Sequence, residues 1–350
     1  MVPAMDRPPD PDLPAIPVIE VGAGGALALF QANPERAARL LAIGRDTYPT
    51  ALVGVGEGLS RRWLARNANP YLPEIDAIDA ALSGAGTYFL NVSYEWGCTV
   101  GLTAAPLGSD TSEACGRLVR TLDWRFDGLG AEIVAARFEA PAGPWINLTW
   151  PGFVGCVQAM APGRFAACFN QAPFAARSGL FPLDWLAERT TVWRSAALPP
   201  AHLLRQVFES CPDYEAARAS LIETPVAAPA IFSLSGRRPD QGCVIERLTD
   251  RAFVHEAPIA VTNHWLTSGL RGYSRGIESG RRQTLMTAGL ADAGPDFAWL
   301  QPPILNETTR LAMVADAAAG RLWAVGYEAQ RPVTRPLVLD AANGARRRSA

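Results

Sequence analysis

From Gly86 onward the chain is a succession of short runs rich in Val, Ile, Phe, Tyr and Trp, broken by Gly, Pro or Asp, and this pattern predicts stacked β-sheets. The candidate strands fall at 86–94, 98–105, 117–125, 131–139, 145–149, 153–160, 164–170, 229–235, 242–248, 252–262 and 321–328. Ahead of them, helical periodicity extends from Ala26 through Leu41 and returns over Leu52 to Arg66, so a helical N-terminal layer is expected. Helices are also expected over 199–222 and around 281–291. Strand blocks flanked by helices make an α/β layered architecture. At 350 residues the chain can bury a sizeable core, and it carries no internal repeat and no long linker.

A formal net charge of −2 argues against a nucleic-acid partner. The basic residues are all Arg, scattered except for short runs such as Arg281-Arg282 and Arg346-Arg347-Arg348. The six cysteines, at 98, 115, 156, 168, 211 and 243, form no Cys-x-x-Cys pair and have no His at ligand spacing. They read as buried free thiols of a reduced intracellular protein, and no metal site is expected. Met1 to Pro17 is rich in Pro and Asp and lacks the basic start and apolar core of a signal peptide, while Val21 to Phe30 is too short to cross a bilayer. A cytoplasmic protein with no transmembrane segment is the expectation. Gly22-Ala23-Gly24-Gly25 lacks the Lys-Ser/Thr that a phosphate loop needs, and no cofactor is expected.

Cys98 carries the chemical signal. It sits in Glu95-Trp96-Gly97-Cys98-Thr99 at the head of one apolar strand, and Arg120-Thr121-Leu122-Asp123-Trp124 lies on the next. A hairpin would bring a thiol, a guanidinium and a carboxylate together. Taken singly, Cys98 reads more readily as a structural thiol, and Arg120 with Asp123 as a structural ion pair. Their order along the chain is what favours chemistry.

Four further segments extend that order: Leu90-Asn91-Val92-Ser93-Tyr94-Glu95 running up to Cys98-Thr99, Pro151-Gly152-Phe153-Val154-Gly155 followed by Arg164-Phe165, Phe169-Asn170-Gln171, and Val261-Thr262-Asn263-His264. Together with Arg120, Asp123, the helix-like Leu203 to Glu209 and Tyr214 to Ala217, the set resembles the N-terminal-nucleophile amidases related to acid ceramidase and N-acylethanolamine acid amidase. The resemblance covers roughly residues 70 to 285. It implies a four-layer αββα fold. It also implies that Cys98 is the nucleophile, that Arg120 orients its terminus and lowers its thiol pKa, that Asp123 holds its α-amino group, and that the Asn263 amide donates to an oxyanion. Asn170 and Arg281 or Arg282 are further carried-over contacts. The interval from Cys98 to Arg120 is longer than in the mammalian amidases and holds a turn-like Gly108-Ser109-Asp110-Thr111-Ser112, which an extended hairpin would absorb.

Amide hydrolysis needs a nucleophile, a base, oxyanion donors and an acid for the departing amine. Cutting Gly97-Cys98 would give Cys98 a free α-amino group, of pKa about 7.7–8.0, able to act first as base and then as acid. The parts would be 1–97, helical with the first strand, and 98–350, the αββα portion, held as one domain without a covalent link. His264 is expected to face away from Asn263 as a packed or surface residue, and His202 and His255 carry no signal. Trp96, Trp124, Trp145, Trp150, Trp185 and Trp193 could line an acyl pocket or fill the core. The implied partner is a small N-acyl lipid or N-acyl amino compound. An acyltransferase of the isopenicillin N type and a non-catalytic lipid-binding relative are the alternatives.

Overall fold

Two sheets face each other in the computed structural model, which describes residues 12–82, 86–93, 95–106 and 114–341. The first has eight strands in the order β1 (Val18–Gly22), β4 (Val134–Phe138), β5 (Trp145–Thr149), β6 (Gln158–Ala161), β7 (Phe165–Gln171), β9 (Ala230–Ser235), β10 (Gly242–Arg247) and β11 (Ala252–Glu256). Only its β1–β4 pair is parallel. The second runs β12 (Ile259–Val261), β2 (Trp96–Pro106), β3 (Ala114–Trp124), β14 (Thr309–Asp316), β15 (Arg321–Glu328) and β16 (Arg331–Pro332), with β17 (Leu337–Asp340) also on β15. The two-residue strands β8 (Phe174–Ala175) and β13 (Gly272–Tyr273) pair separately.

Alternation along the strands shows why the sheets stack. In β14, Leu311, Met313 and Ala315 join the core shared by both sheets, while Ala312 and Val314 join a separate outer cluster. Both faces are apolar because both are covered. The outer cluster includes Met286 of α9 (Ser279–Ala288) with Leu290, Phe297, Leu300 and Ile304 beyond it. On the other side, α7 (Pro200–Ser210) and α8 (Tyr214–Glu223) cover the eight-stranded sheet, with Phe208 stacked on Trp145 at 5.2 Å. The result is an α/β fold of four layers, helix, sheet, sheet, helix. The N-terminal helices α1 (Gly25–Ala32), α2 (Pro34–Thr47), α3 (Thr50–Arg66), α4 (Leu72–Ala81) and α5 (Thr87–Val92) build a satellite core around Phe30, Trp63, Tyr71 and Ile75. Helix α6 (Phe181–Arg194) lies near its edge through Val192 and Trp193. Among the described residues no helix is long and apolar enough to cross a membrane.

Several expected elements differ. The run 86–94 contains the helix α5, because Asn91 donates to Thr87 O at 2.9 Å and to Gly152 O at 3.0 Å and accepts from Val154 N at 2.7 Å. Those tertiary bonds override the strand propensity of Thr, Tyr, Phe and Val. The run 252–262 is split between the sheets, since the chain leaves β11 at one edge and enters β12 on the other sheet after Pro258. The helix 199–222 breaks at Cys211-Pro212-Asp213, where Asp213 caps α8 by accepting from Ala216 N at 2.9 Å. Helices α4 and α6 and the central strand β14 carry no forecast. The turn-like Gly108 to Ser112, Tyr94 and Arg346 to Arg348 lie outside the described residues.

Candidate active site

The hairpin of β2 and β3 pairs Gly97 with Asp123, Cys98 with Leu122 and Val100 with Arg120. Side chains alternate across a strand, so Cys98, Leu118, Arg120 and Leu122 face the gap between the sheets while Gly97 and Asp123 face α9. The hairpin thus joins the thiol to the guanidinium and sends the carboxylate to the opposite face. All three stay within electrostatic reach of one another, but the odd spacing of Arg-x-x-Asp within a strand puts the guanidinium against the sulfur and the carboxylate against the other side of the Cys98 backbone. Arg120 Nη2 donates to Cys98 Sγ at 3.0 Å and to Phe169 O at 3.0 Å, and Nη1 donates to Val157 O at 2.5 Å. Two carbonyls, Phe169 O in β7 and Val157 O just before β6, therefore aim the guanidinium at the sulfur.

The peptide unit of Cys98 is held from the other face. Asn263 Oδ1 accepts from Cys98 N at 2.7 Å, and Asn263 Nδ2 donates to Gln171 O at 2.9 Å. Arg282 Nη1 donates to Cys98 O at 2.5 Å and to Thr99 Oγ1 at 2.9 Å, while Nη2 donates to Asn263 Oδ1 at 3.2 Å. Asp123 accepts from Thr309 Oγ1 at 2.8 Å through Oδ1; its Oδ2 has no hydrogen-bond partner among the described residues and lies 3.6 Å from Arg282 Nη1. Of the two adjacent arginines, only Arg282 enters the site. Arg281 is corrected to a surface residue: its side chain is 72% exposed and paired with Glu278 at 3.1 Å. Asn170 stays a step away, donating from Nδ2 to Thr262 O at 2.9 Å beside Asn263.

Burial dominates the electrostatics. The Cys98 thiol is pushed up to about 12 by loss of water, with the Arg120 charge working against the rise. The Asp123 carboxyl is also raised by burial, opposed first by Arg282 and then by the Thr309 hydroxyl. Gly97 sits at the closest approach: a Cβ there would meet Gly276 Cα at 3.1 Å and Asp123 Oδ2 at 3.5 Å. Gly276, at φ +72°, lets the loop before α9 pass this close.

An apolar cavity of about 500 Å³ opens beside this centre, bordered by Phe89, Trp63, Trp185 and Trp193 from the helices and by Phe169, Gln171 and Ala172 at the end of β7. Glu95 and Arg275 also line it. Arg275 stacks on Phe174 with its guanidinium carbon 3.3 Å from the ring centroid, and burial draws its pKa down to about 10 against the pull of Glu188. Cys98 itself is fully buried. Of the six tryptophans singled out in the sequence, Trp185 and Trp193 line the cavity, whereas Trp96, Trp124, Trp145 and Trp150 are buried in the main core. All six cysteines are free and buried, and no metal-ligand cluster occurs among the described residues.

Gln171, Ser279 and Thr309 complete the surroundings of Cys98, Asn263 and Asp123, and as single residues they carry no sequence signal. His264 Nδ1 lies 2.9 Å from Ser279 Oγ and 3.1 Å from Thr262 Oγ1, and its Nε2 lies 3.0 Å from Gln283 Oε1.

No protein-family model matches the chain. Over 101 residues it is 34% identical to the acid ceramidases of Macaca fascicularis and Homo sapiens, a stretch that covers 28% of this chain and 24% of each relative. The chain thus matches about a quarter of the length of these curated relatives. Among solved structures, the Caenorhabditis elegans ortholog of N-acylethanolamine-hydrolyzing acid amidase aligns with a TM-score of 0.49 and 17% identity, covering 63% of this chain and 93% of its own. Penicillin V acylase from Agrobacterium tumefaciens aligns with a TM-score of 0.39 and 14% identity, over 70% of this chain and 86% of that one.

Proposed function

We infer that the chain is a cysteine N-terminal-nucleophile amidohydrolase that cleaves the linear carbon–nitrogen bond of an N-acyl lipid or N-acyl amino compound. One observation carries the reading: the Cys98 unit is gripped at three atoms, Sγ by Arg120, N by Asn263 and O by Arg282, with a buried carboxylate against Gly97. A cysteine that only filled the core would still need partners for its N–H and C=O, but not a buried guanidinium on its sulfur. The partial identity to acid ceramidases supports the same class of reaction.

In the uncut chain the Cys98 nitrogen is an amide and cannot act as a base. Processing would begin with Sγ attacking the Gly97 carbonyl carbon; a C–S bond forms, the C–N bond breaks, and the thiol proton ends on the Cys98 nitrogen. Water then opens the thioester, giving a Gly97 carboxylate and restoring the thiol. The freed α-amino group, of pKa about 7.7–8.0 in an unperturbed peptide, can next take the thiol proton for attack on a substrate amide and return it to the leaving amine. Asp123, whose Oδ2 makes no hydrogen bond among the described residues, lies within reach of that new ammonium group. Asn263 Nδ2, which the family resemblance casts as an oxyanion donor, would have to exchange Gln171 O for the substrate oxygen. The neighbouring apolar cavity suits an acyl chain, as ligand pockets of 300–1,000 Å³ commonly do.

Denaturing intact-mass spectrometry of the wild type beside Cys98→Ala tests this. Fragments of 97 and 253 residues in the wild type, absent from the mutant, are the expected outcome. A Cys98→Ala chain that still matures at Gly97-Cys98 would sink the proposal. Release of fatty acid from an N-acyl amide by the processed protein, measured with and without added acceptor amine, then separates hydrolysis from acyl transfer.

A further inference from the structure

The first turn of α9 carries a second polar arrangement behind Asn263. Ser279 Oγ accepts the Asn263 backbone N–H at 3.1 Å and lies 2.9 Å from His264 Nδ1. His264 Nε2 lies 3.0 Å from Gln283 Oε1, and Gln283 Nε2 donates to Ala260 O at 3.3 Å. One fixed end decides the donors. Because Gln283 turns its NH2 group to Ala260 O, its Oε1 is an acceptor, and the His264 nitrogen facing it must carry the proton. A His264 ring protonated on Nε2 alone presents a bare Nδ1, 2.9 Å from the Ser279 hydroxyl and 3.1 Å from the Thr262 hydroxyl. With Ser279 donating to His264, each bond runs in the same direction, from Asn263 through Ser279, His264 and Gln283 to Ala260, the arrangement in which successive hydrogen bonds polarise one another. Thr262 Oγ1 donates to Ser279 O at 3.0 Å and also lies 2.9 Å from Ser279 Oγ and 3.1 Å from His264 Nδ1, so the relay requires that Ser279 turn its proton to His264 and not to Thr262.

Helical spacing explains why one turn can do this. Ser279 and Gln283 are four residues apart and share a face, and Arg282 projects beside them toward Cys98. Asn263 is therefore held twice by the same helix: its backbone N–H by Ser279, and its side-chain Oδ1 by Arg282 at 3.2 Å. We propose that Ser279 and His264 are positioning residues that fix Asn263 against the Cys98 peptide through this relay. The inference rests on reading Asn263 as part of the reacting centre. No proton changes hands along the relay; it orients.

Two measurements test it. The first uses the uncut Cys98→Ala protein, with and without Ser279→Ala, labelled with ¹⁵N-histidine and kept near neutral pH. With only three histidines in the chain, His202→Gln and His255→Gln variants assign the imidazole signals. The expected spectrum shows His264 protonated on Nε2 alone, with an Nδ1 signal that moves toward the free-acceptor position on Ser279→Ala. A proton on Nδ1, or an Nδ1 signal indifferent to Ser279→Ala, overturns the relay.

The second is the rate of cleavage at Gly97-Cys98 in the full chain. Misplacing a reacting group by about 1 Å costs about 100-fold, so Ser279→Ala and His264→Phe are expected to slow cleavage by about 10- to 100-fold, and Ser279→Thr to restore it. Wild-type rates in both deletions overturn the positioning role. A wild-type chain that never cleaves overturns the autocleavage reading instead, and the spectra alone then decide the relay.

Discussion

At Cys98 two effects oppose each other, and burial is the larger. The Arg120 charge favours thiolate, yet the fully buried sulfur stays a neutral thiol at ordinary pH in the uncut chain. Opposite charges at hydrogen-bond distance shift a neighbour's pKa by about 1–3 units. Arg120→Gln should therefore cut the thiolate fraction by about 10- to 1000-fold and slow cleavage at Gly97-Cys98 in proportion, read as the cut fraction against time in a protein that remains folded by circular dichroism. Cleavage at the wild-type rate would remove Arg120 from the chemistry. Cys98, Arg120 and Asn263 were legible in the sequence because their order survives without any knowledge of the fold. The choice between Arg281 and Arg282 was not. Adjacent residues on a helix point about 100° apart, and only the seating of α9 decides which one reaches Cys98 O.

Among the elements, the hairpin and α9 do the positioning, and the Gly276 loop between them sets how closely they approach. A Cβ at Gly276 would lie 2.7 Å from Arg282 Nη2 and 3.1 Å from Gly97 Cα. Gly276→Ala should cost about 1–2 kcal/mol from the left-handed backbone alone and should also push Arg282 off Asn263 Oδ1, slowing cleavage. Gly163→Ala is the matched control, with φ +71° and open space where the Cβ would go. Urea unfolding should report a similar backbone cost in both, while only Gly276→Ala slows the cut. Equal cleavage rates in the two would remove the loop from site geometry. The β2–β3 hairpin could be read from apolar runs, but α5 could not, since its Thr-Tyr-Phe-Leu-Asn-Val run has strand propensity. Three hydrogen bonds from Asn91 hold it as a helix.

At the scale of the whole molecule, one buried imidazole contributes to acid sensitivity. His202 Nδ1 accepts from Asn69 Nδ2 at 2.9 Å, its Nε2 has no hydrogen-bond partner among the described residues, and the ring meets Tyr71 edge-on at 5.2 Å. Burial, with the nearby Arg205 charge adding to it, lowers its pKa from 6.5 to about 3. Between those values the unfolded chain binds the proton and the folded chain does not. The stability that neutral His202 contributes is complete above pH 6.5 and is lost as pH falls toward 3, at up to about 1.4 kcal/mol per pH unit. Asp123, raised by burial, works in the opposite direction. Urea unfolding above and below pH 6.5 should show a shallower acid loss in His202→Gln than in the wild type, and parallel curves would assign the acid sensitivity to other groups. The sequence determined by itself that this would be a layered α/β protein with a cysteine ahead of an Arg-x-x-Asp hairpin strand, because period-two apolar runs and residue order are local properties of a chain. Only the tertiary structure decided that Arg120 and Asp123 serve opposite faces of β3, that Arg282 rather than Arg281 enters the site, and that Ser279, Thr309 and Gln171 complete it. Those outcomes depend on which sheet face each strand turns inward and on where α9 lands, contacts between residues as much as 186 positions apart that no local pattern encodes.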